Sequence, residues 1–232
     1  MQLFYLENPE KKILLSTEES KHTTKVLRKK EGDILNFTDG KGSLYTGKIT
    51  ISNSKKTKVE IIKKEKRKKA HNYYLHIAIA PPKNINRFET FLEKATEIGI
   101  DEITPIICKH SERKIIKEER CNRIIISAMK QSLKYHLPKI NKTISVNKFL
   151  KNEFNGNKYI CHCKDEQKYI LKNIKKAAKN IILIGPEGGF SLEEIQYAIK
   201  NNYKPVSIGN SRFRTETAGI IAANTINIKH WK

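Results

Sequence analysis

The chain has 232 residues, 38% of them apolar, which is enough for a packed core in one large or two modest domains without disulfide or metal staples. Its formal net charge of +22 favours a polyanionic partner, nucleic acid first, because released counterions drive association with phosphate backbones; a solvated lysine-rich surface is the bland alternative. The opening MQLFYLENPEKKILL turns polar too soon for a secretion signal, and apolar runs such as Ile181 to Ile184 fall far short of the roughly 20 residues that span a bilayer, so a cytoplasmic protein is expected.

The first seventy residues read as a small β-rich domain. Leu3 to Leu6, Ile34 to Thr38, Leu44 to Ser52 and Lys58 to Ile62 are β-type runs, punctuated by Gly32-Asp33, Asp39-Gly40 and Gly42-Ser43. One helical stretch, Glu18 to Arg28, interrupts them and ends in the basic patch Arg28, Lys29 and Lys30, suited to phosphate contacts. The run Lys63 to Lys69 is too charged for a core and reads as a linker or an exposed strand end. These signals predict domains over residues 1–70 and 71–232.

From Tyr73 the pattern changes to apolar runs alternating with helical periodicity, the mark of α/β architecture with a mostly parallel sheet. Tyr73 to Ala80 predicts a buried strand ending at Pro81-Pro82. Phe88, Phe91, Leu92, Ala95 and Ile98 then share one helical face before Gly99 stops the helix. Further strands are expected at Glu102 to Cys108, Lys142 to Val146 and Tyr159 to His162. Between them lies a helix from Lys117 to Leu133, and an amphipathic stretch follows from Glu166 to Lys179. Cys108, Cys121, Cys161 and Cys163 lack the Cys-x-x-Cys spacing of a structural zinc site, and the Cys161-His162-Cys163 triplet alternates across a strand, so free thiols and no metal are expected.

The last third carries the chemistry. The buried strand Ile181 to Ile184 runs into Gly185-Pro186-Glu187-Gly188-Gly189, and Ser191 with Glu194 has the spacing of a capping box, Phe190 with Ile195 that of a hydrophobic staple. Ligands of α/β sheets bind at the carboxyl ends of strands, where glycine lets a backbone come close; a turn that merely saves space is the alternative. No Gly-Lys-Ser/Thr and no Gly-x-Gly-x-x-Gly occurs, so nucleoside triphosphate and dinucleotide sites lack support. A second strand, Val206 to Gly209, leads into Asn210 to Ala218 and an apolar helix. Arg212, Arg214 and Glu216 cluster at its start, where cations are disfavoured unless an anion or a function recruits them; a surface ion pair between Arg214 and Glu216 is the alternative.

LIGPEGGFSLEEI and SIGNSRFRTETAGIIAANTI resemble the paired signatures of the 16S ribosomal RNA uridine-N3 methyltransferases of the SPOUT superfamily. KVLRKKEGDILNFTDGKG, EKATEIGIDEITPIICKHSER and QSLKYHLPKI are similar to the family pattern in the same order, so the resemblance covers nearly the whole chain. It implies an N-terminal PUA-like β-barrel, a C-terminal α/β domain tied in a trefoil knot, a homodimer, and S-adenosyl-L-methionine as cofactor. By the same resemblance the cofactor is wrapped by Ile184, Gly185, Pro186, Glu187, Gly188 and Gly189 and by Ile208, Gly209, Asn210, Phe213, Thr215 and Thr217, with Pro81 a third contributor.

Two departures from the family stand out. Arginine is common where Ser211 stands and an aliphatic residue where Arg212 stands, and the usual Gly-Arg of a Gln-Ser-Gly-Arg segment is here Leu133-Lys134, which keeps charge but loses the planar fork. RNA contacts are expected at Arg28, Lys29, Lys30, Gln131, Lys134 and Arg212, with 16S ribosomal RNA or the small subunit as partner. Arg214 is expected to stabilise the developing uridine anion, and Glu216 to orient that arginine or accept the N3 proton, with no metal required. Two alternatives stay open: a knotted methyltransferase acting on another RNA position, and a non-catalytic RNA-binding assembly factor.

Overall fold

The computed structural model describes residues 2–164 and 169–231. The chain divides into two compact units, Met1–Lys69 with Met129–Leu137, and Ala70–Ala128 with Pro138–Lys232. The sequence reading placed 129–137 in the second domain. In the structure this segment closes on the Gly40–Gly42 turn: Gly42 N donates to Tyr135 O at 2.8 Å, and Leu137 N to Gly40 O at 2.8 Å. Gly42 has φ +88°, and a Cβ there would meet His136 Nε2 at 2.5 Å, so glycine is what lets the segment approach.

The first unit holds β1 (Leu3–Tyr5), β2 (Lys12–Leu14), α1 (Thr17–Lys21), β3 (Ile34–Thr38), β4 (Ser43–Ile51) and β5 (Lys58–Lys66). Its sheet has the order β1-β3-β4-β5-β2, with β1 parallel to β3 and the other pairs antiparallel. Phe4 and Ile13, from opposite edges, share one core cluster with Leu35, Phe37, Tyr45, Ile49 and Val59, so the sheet curls around its apolar face. The helix expected over Glu18 to Arg28 is shorter: α1 ends at Lys21 and a π-helical turn covers His22–Val26. Thr24 Oγ1 bonds back to Ser20 O at 2.9 Å, the side-chain competition that loosens helices at threonine.

The second unit holds β6 (Tyr74–Ile79), α2 (Ile85–Ile98), β7 (Glu102–Ile107), α3 (Glu118–Gln131, whose residues 129–131 belong to the first unit), β8 (Lys139–Ile140), β9 (Ile144–Ser145) and α4 (Val146–Phe149). It continues with β10 (Asn157–Cys161), β11 (Tyr169–Ile170), β12 (Lys179–Ile184), α5 (Leu192–Lys200), β13 (Lys204–Ser207) and α6 (Thr215–Lys229). Every pairing in its sheet is parallel, in the order β11-β13-β10-β12-β6-β7-β8, with β9 also on β7. Of the amphipathic stretch from Glu166 to Lys179, residues 166–168 lie outside the described residues; the rest forms β11, a short 3-10 turn at Leu171–Asn173 and the start of β12.

Alternation along β6 sorts the two faces. Ala78 and Ala80 join a cluster with Ile195 and Ala198 of α5, whereas Ile79 meets Gly219 of α6. On that second face α2 packs on α6, which also lies on β6 and β12. A Cβ at Gly219 would come within 2.7 Å of the Phe91 ring, so glycine sets how closely α2 and α6 approach. The adjacent strands β6 and β12 send their chains in opposite directions, β6 through α2 to β7 and β12 through α5 to β13. That divergence is the switch point at which open α/β sheets form a ligand crevice, at the strands' carboxyl ends.

Candidate active site

Three chain segments meet at this crevice. Pro81 and Pro82 follow β6, residues 185–190 follow β12, and Ile208 to Arg214 follow β13. Ala80 N donates to Ile184 O at 3.0 Å and so extends the β6–β12 ladder to its mouth. Thr215 Oγ1 donates to Gly185 O at 3.0 Å and ties the first residue of α6 to the glycine loop.

The glycine loop is held from behind. Ser191 Oγ accepts Glu194 N at 3.2 Å while Glu194 Oε2 accepts Ser191 N at 2.8 Å, so the capping box read from the sequence is formed. Phe190 and Ile195 are buried in one cluster, as the staple spacing predicts. A Cβ at Gly185 would reach the Phe190 ring at 3.0 Å, and one at Gly188 would meet His110 Cβ at 2.9 Å. Gly189 adopts φ +70°, which favours glycine directly.

A strap that sequence reasoning did not find, the loop after β7, crosses behind both walls. Lys109 N donates to Glu194 Oε1 at 2.7 Å, and His110 Nδ1 lies 3.0 Å from Gly189 O, which only accepts, so that nitrogen carries the proton. Arg113 Nε donates to Pro82 O and Lys83 O, both at 3.1 Å, and its Nη2 to Lys83 O at 2.6 Å. Lys83 Nζ sits 2.8 Å from Glu112, which raises the ammonium's pKa by hydrogen bonding.

Arg87 is the second residue missed. It lies in the first turn of α2, with Nε 3.7 Å from Glu216 Oε1 and Nη1 4.0 Å from Glu187 Oε1. The ion pair of Glu216 is thus with Arg87 and not with Arg214, the surface pair that stood as the alternative, while the exposed Arg214 is the N-cap of α6, its carbonyl accepting Ala218 N at 2.8 Å. The signal was present, since Arg87 is a lone cation in a helix's first turn, the anomaly that drew attention to Arg214. Pairing across more than a hundred residues is not readable from spacing.

The other expected residues fall as follows. Pro81, Ile184, Pro186 and Thr215 are buried at the crevice walls; Ile208, Gly209 and Thr217 are half-buried; Glu187, Gly188, Asn210, Arg212 and Phe213 are exposed, with the Phe213 ring 3.4 Å from where a Gly209 Cβ would stand. Arg28, Lys29, Lys30, Gln131 and Lys134 belong to the first unit. Arg28 adopts φ +53°, Lys30 N is held by Asp33 Oδ2 at 2.8 Å, and burial lowers the Lys134 ammonium's pKa. Among the described residues no group of His, Cys, Asp and Glu is arranged to hold a metal ion, and no helix is long and apolar enough to cross a membrane.

The parallel sheet and its glycine loop belong to an RNA methyltransferase: residues 68–227 match the model of the RNA methyltransferase domain, and residues 15–62 that of the RNA methyltransferase PUA domain. The chain is 31% identical over 220 residues to the ribosomal RNA small subunit methyltransferase E of Buchnera aphidicola, covering 91% of this chain and 86% of that one. It belongs to the ribosomal RNA small subunit methyltransferase E family. Among solved structures, a probable rRNA-methyltransferase from Porphyromonas gingivalis superposes with TM-score 0.94 at 38% identity, over 99% of this chain and 98% of that one. A ribosomal RNA small subunit methyltransferase E from Neisseria gonorrhoeae bound to S-adenosyl methionine superposes with TM-score 0.85 at 25% identity, over 96% and 95%.

Proposed function

We propose that this protein methylates N3 of one uridine in the 16S ribosomal RNA of the small subunit, with S-adenosyl-L-methionine as methyl donor. The observation that carries the reading is the Thr215–Gly185 hydrogen bond, which joins the two signature loops into one crevice at the switch point. The residues fit the cofactor. Pro81, Ile184, Ile208 and Phe213 supply apolar surface for an adenosine, and the glycine loop offers main-chain groups free of side-chain bulk. The N-cap of α6 makes no side-chain capping bond, so main-chain donors remain for the cofactor, while Glu216 Oε2, buried with no hydrogen-bond partner among the described residues, is left for the substrate. When bound, the cofactor supplies an electrophilic methyl group on a sulfonium.

The protein's own residues then face a poor nucleophile, since uridine N3 holds its proton. Arg214, exposed at the start of α6, stabilises the negative charge that spreads onto the uracil carbonyl oxygens as that proton leaves. Glu216, whose Oε2 has no competing donor, is the proton acceptor this reading assigns. The first unit serves as a PUA-like barrel in which Arg28, Lys29 and Lys30 hold RNA phosphates, with Gln131, Lys134 and Arg212 as further RNA contacts. The second is a SPOUT domain with a trefoil knot. A cytoplasmic homodimer completes the reading, supported by the apolar exposure of Ile228 and Trp231 at the end of α6.

The test is Arg214→Ala. It is expected to fold and to bind S-adenosylmethionine as the parent does, yet to lose about 10²–10³-fold in turnover on small-subunit RNA, the scale of a removed oxyanion donor. Methylation within a factor of about three of the parent would remove Arg214 from the chemistry.

A further inference from the structure

The two loops that wrap the crevice follow the successive strands β12 and β13, and each brings one carboxylate to the same cation on α2. Glu187 lies in the glycine loop after β12, and Glu216 lies in the first turn of α6. Glu187 Oε1 accepts Lys83 N at 3.1 Å and stands 4.0 Å from Arg87 Nη1. Glu216 Oε1 stands 3.7 Å from Arg87 Nε, and its other oxygen is buried without a hydrogen-bond partner. Arg87 itself is anchored on α2, where its main-chain N donates to Asn84 O at 3.1 Å and the neighbouring Phe88 is fully buried.

We propose that Arg87 is the positioning residue that couples the two cofactor loops, holding the glycine loop through Glu187 and the start of α6 through Glu216. The proposal rests on the reading of this crevice as the S-adenosylmethionine site. Without Arg87, two carboxylates of the same sign face each other across the mouth, and Glu216, with only 12% of its side chain exposed, has no other cation among the ion pairs of the described residues. Like charges so placed push the loops apart, whereas the planar guanidinium, with its fixed fork of donors, can serve both carboxylates at once. The Thr215–Gly185 bond then closes on loops already in register, so binding does not have to order them. Arg87 thus acts through the loops and need not touch the reacting atoms.

The test compares Arg87→Met, which keeps the apolar stem, with Arg87→Lys, Glu216→Gln and the Arg87→Met/Glu216→Gln double variant. The full-length protein is used, and S-adenosylmethionine affinity is read by calorimetry. Arg87→Met is expected to weaken affinity about tenfold or more, a coupling of the usual size for interacting neighbours. KM for the cofactor should rise with it, while kcat at saturating cofactor falls much less. Arg87→Lys should recover part of the loss. The double variant should bind no worse than Arg87→Met, because the charge that Arg87 answered is gone.

Parent-like affinity in a folded Arg87→Met, or strictly additive losses in the double variant, would overturn the coupling role. If Arg87→Met does not fold, Arg87→Gln decides: weakened affinity with an unchanged unfolding midpoint supports the role, and parent-like affinity refutes it. A parent protein that does not bind S-adenosylmethionine at all would instead refute the cofactor assignment on which the proposal stands.

Discussion

Leu133 occupies φ +53°, a left-handed conformation that favours glycine, the residue the sequence resemblance implies there. An L side chain there costs about 1–2 kcal/mol, but the leucine is only 39% exposed, and the burial of the rest returns roughly 1–2 kcal/mol. Glycine brings its own unfolded-state cost of roughly 0.5–1 kcal/mol. Leu133→Gly is therefore expected to lower stability by about 0.5–1 kcal/mol, seen as a lower urea midpoint at constant slope. An unchanged or higher midpoint would show that the backbone strain outweighs the burial. This departure was legible in the sequence as a missing glycine. The partners of Glu216 were not, because a carboxylate's neighbour is set by where α2 and α6 come together, not by the spacing of Arg214 and Glu216 along one chain.

Among the elements, β6, β7 and the segment after β8 share a partly buried polar network beside an apolar core. Asn141 Nδ2 donates to Glu102 Oε1 at 2.6 Å and to Thr104 Oγ1 at 2.7 Å. The Tyr74 hydroxyl donates to the other Glu102 oxygen, and Lys139 Nζ lies 3.7 Å from Oε1. Thr104 Oγ1, accepting from Asn141, also hydrogen-bonds His76 Nε2 at 2.7 Å. Burial pushes the His76 pKa down to about 4, against the attraction of Glu102, from an ordinary 6.5. Above that ordinary value neither state of the protein is charged at this ring. As pH falls from 6.5 toward 4 the unfolded chain takes up the proton and the folded chain does not, so stability drops by something on the order of 3 kcal/mol. His76→Gln should flatten the pH dependence of the unfolding free energy over this window; an unchanged slope would place the titration elsewhere. The periodicity of α2 and the apolar run of β12 made those elements readable in advance. The five residues of α1 and the three of β2 were harder, since neither is long enough to show a period.

At the scale of the whole molecule the +22 charge and the two-unit division belong together. The sequence announced a change of texture near residue 71, yet it gave no sign that residues 129–137 pair with the Gly40–Gly42 turn, because that pairing joins segments some ninety positions apart. If Arg28, Lys29 and Lys30 hold phosphates, replacing all three with glutamine should weaken RNA binding and reduce the slope of log K against log salt by up to about 2–3. A slope that does not move would leave the patch as solvated surface and shift RNA contact to other cations.

The central claim is the reaction itself, and it is tested most directly by transfer of labelled methyl from S-adenosylmethionine to small ribosomal subunits lacking N3-methyluridine, followed by nucleoside analysis. The crevice built by the glycine loop, Thr215 and Arg214 predicts label in N3-methyluridine at a single site, at an initial rate about 10²–10³-fold lower when Arg214 is alanine. Label in a different nucleoside, or none from a protein that binds the cofactor, would contradict it.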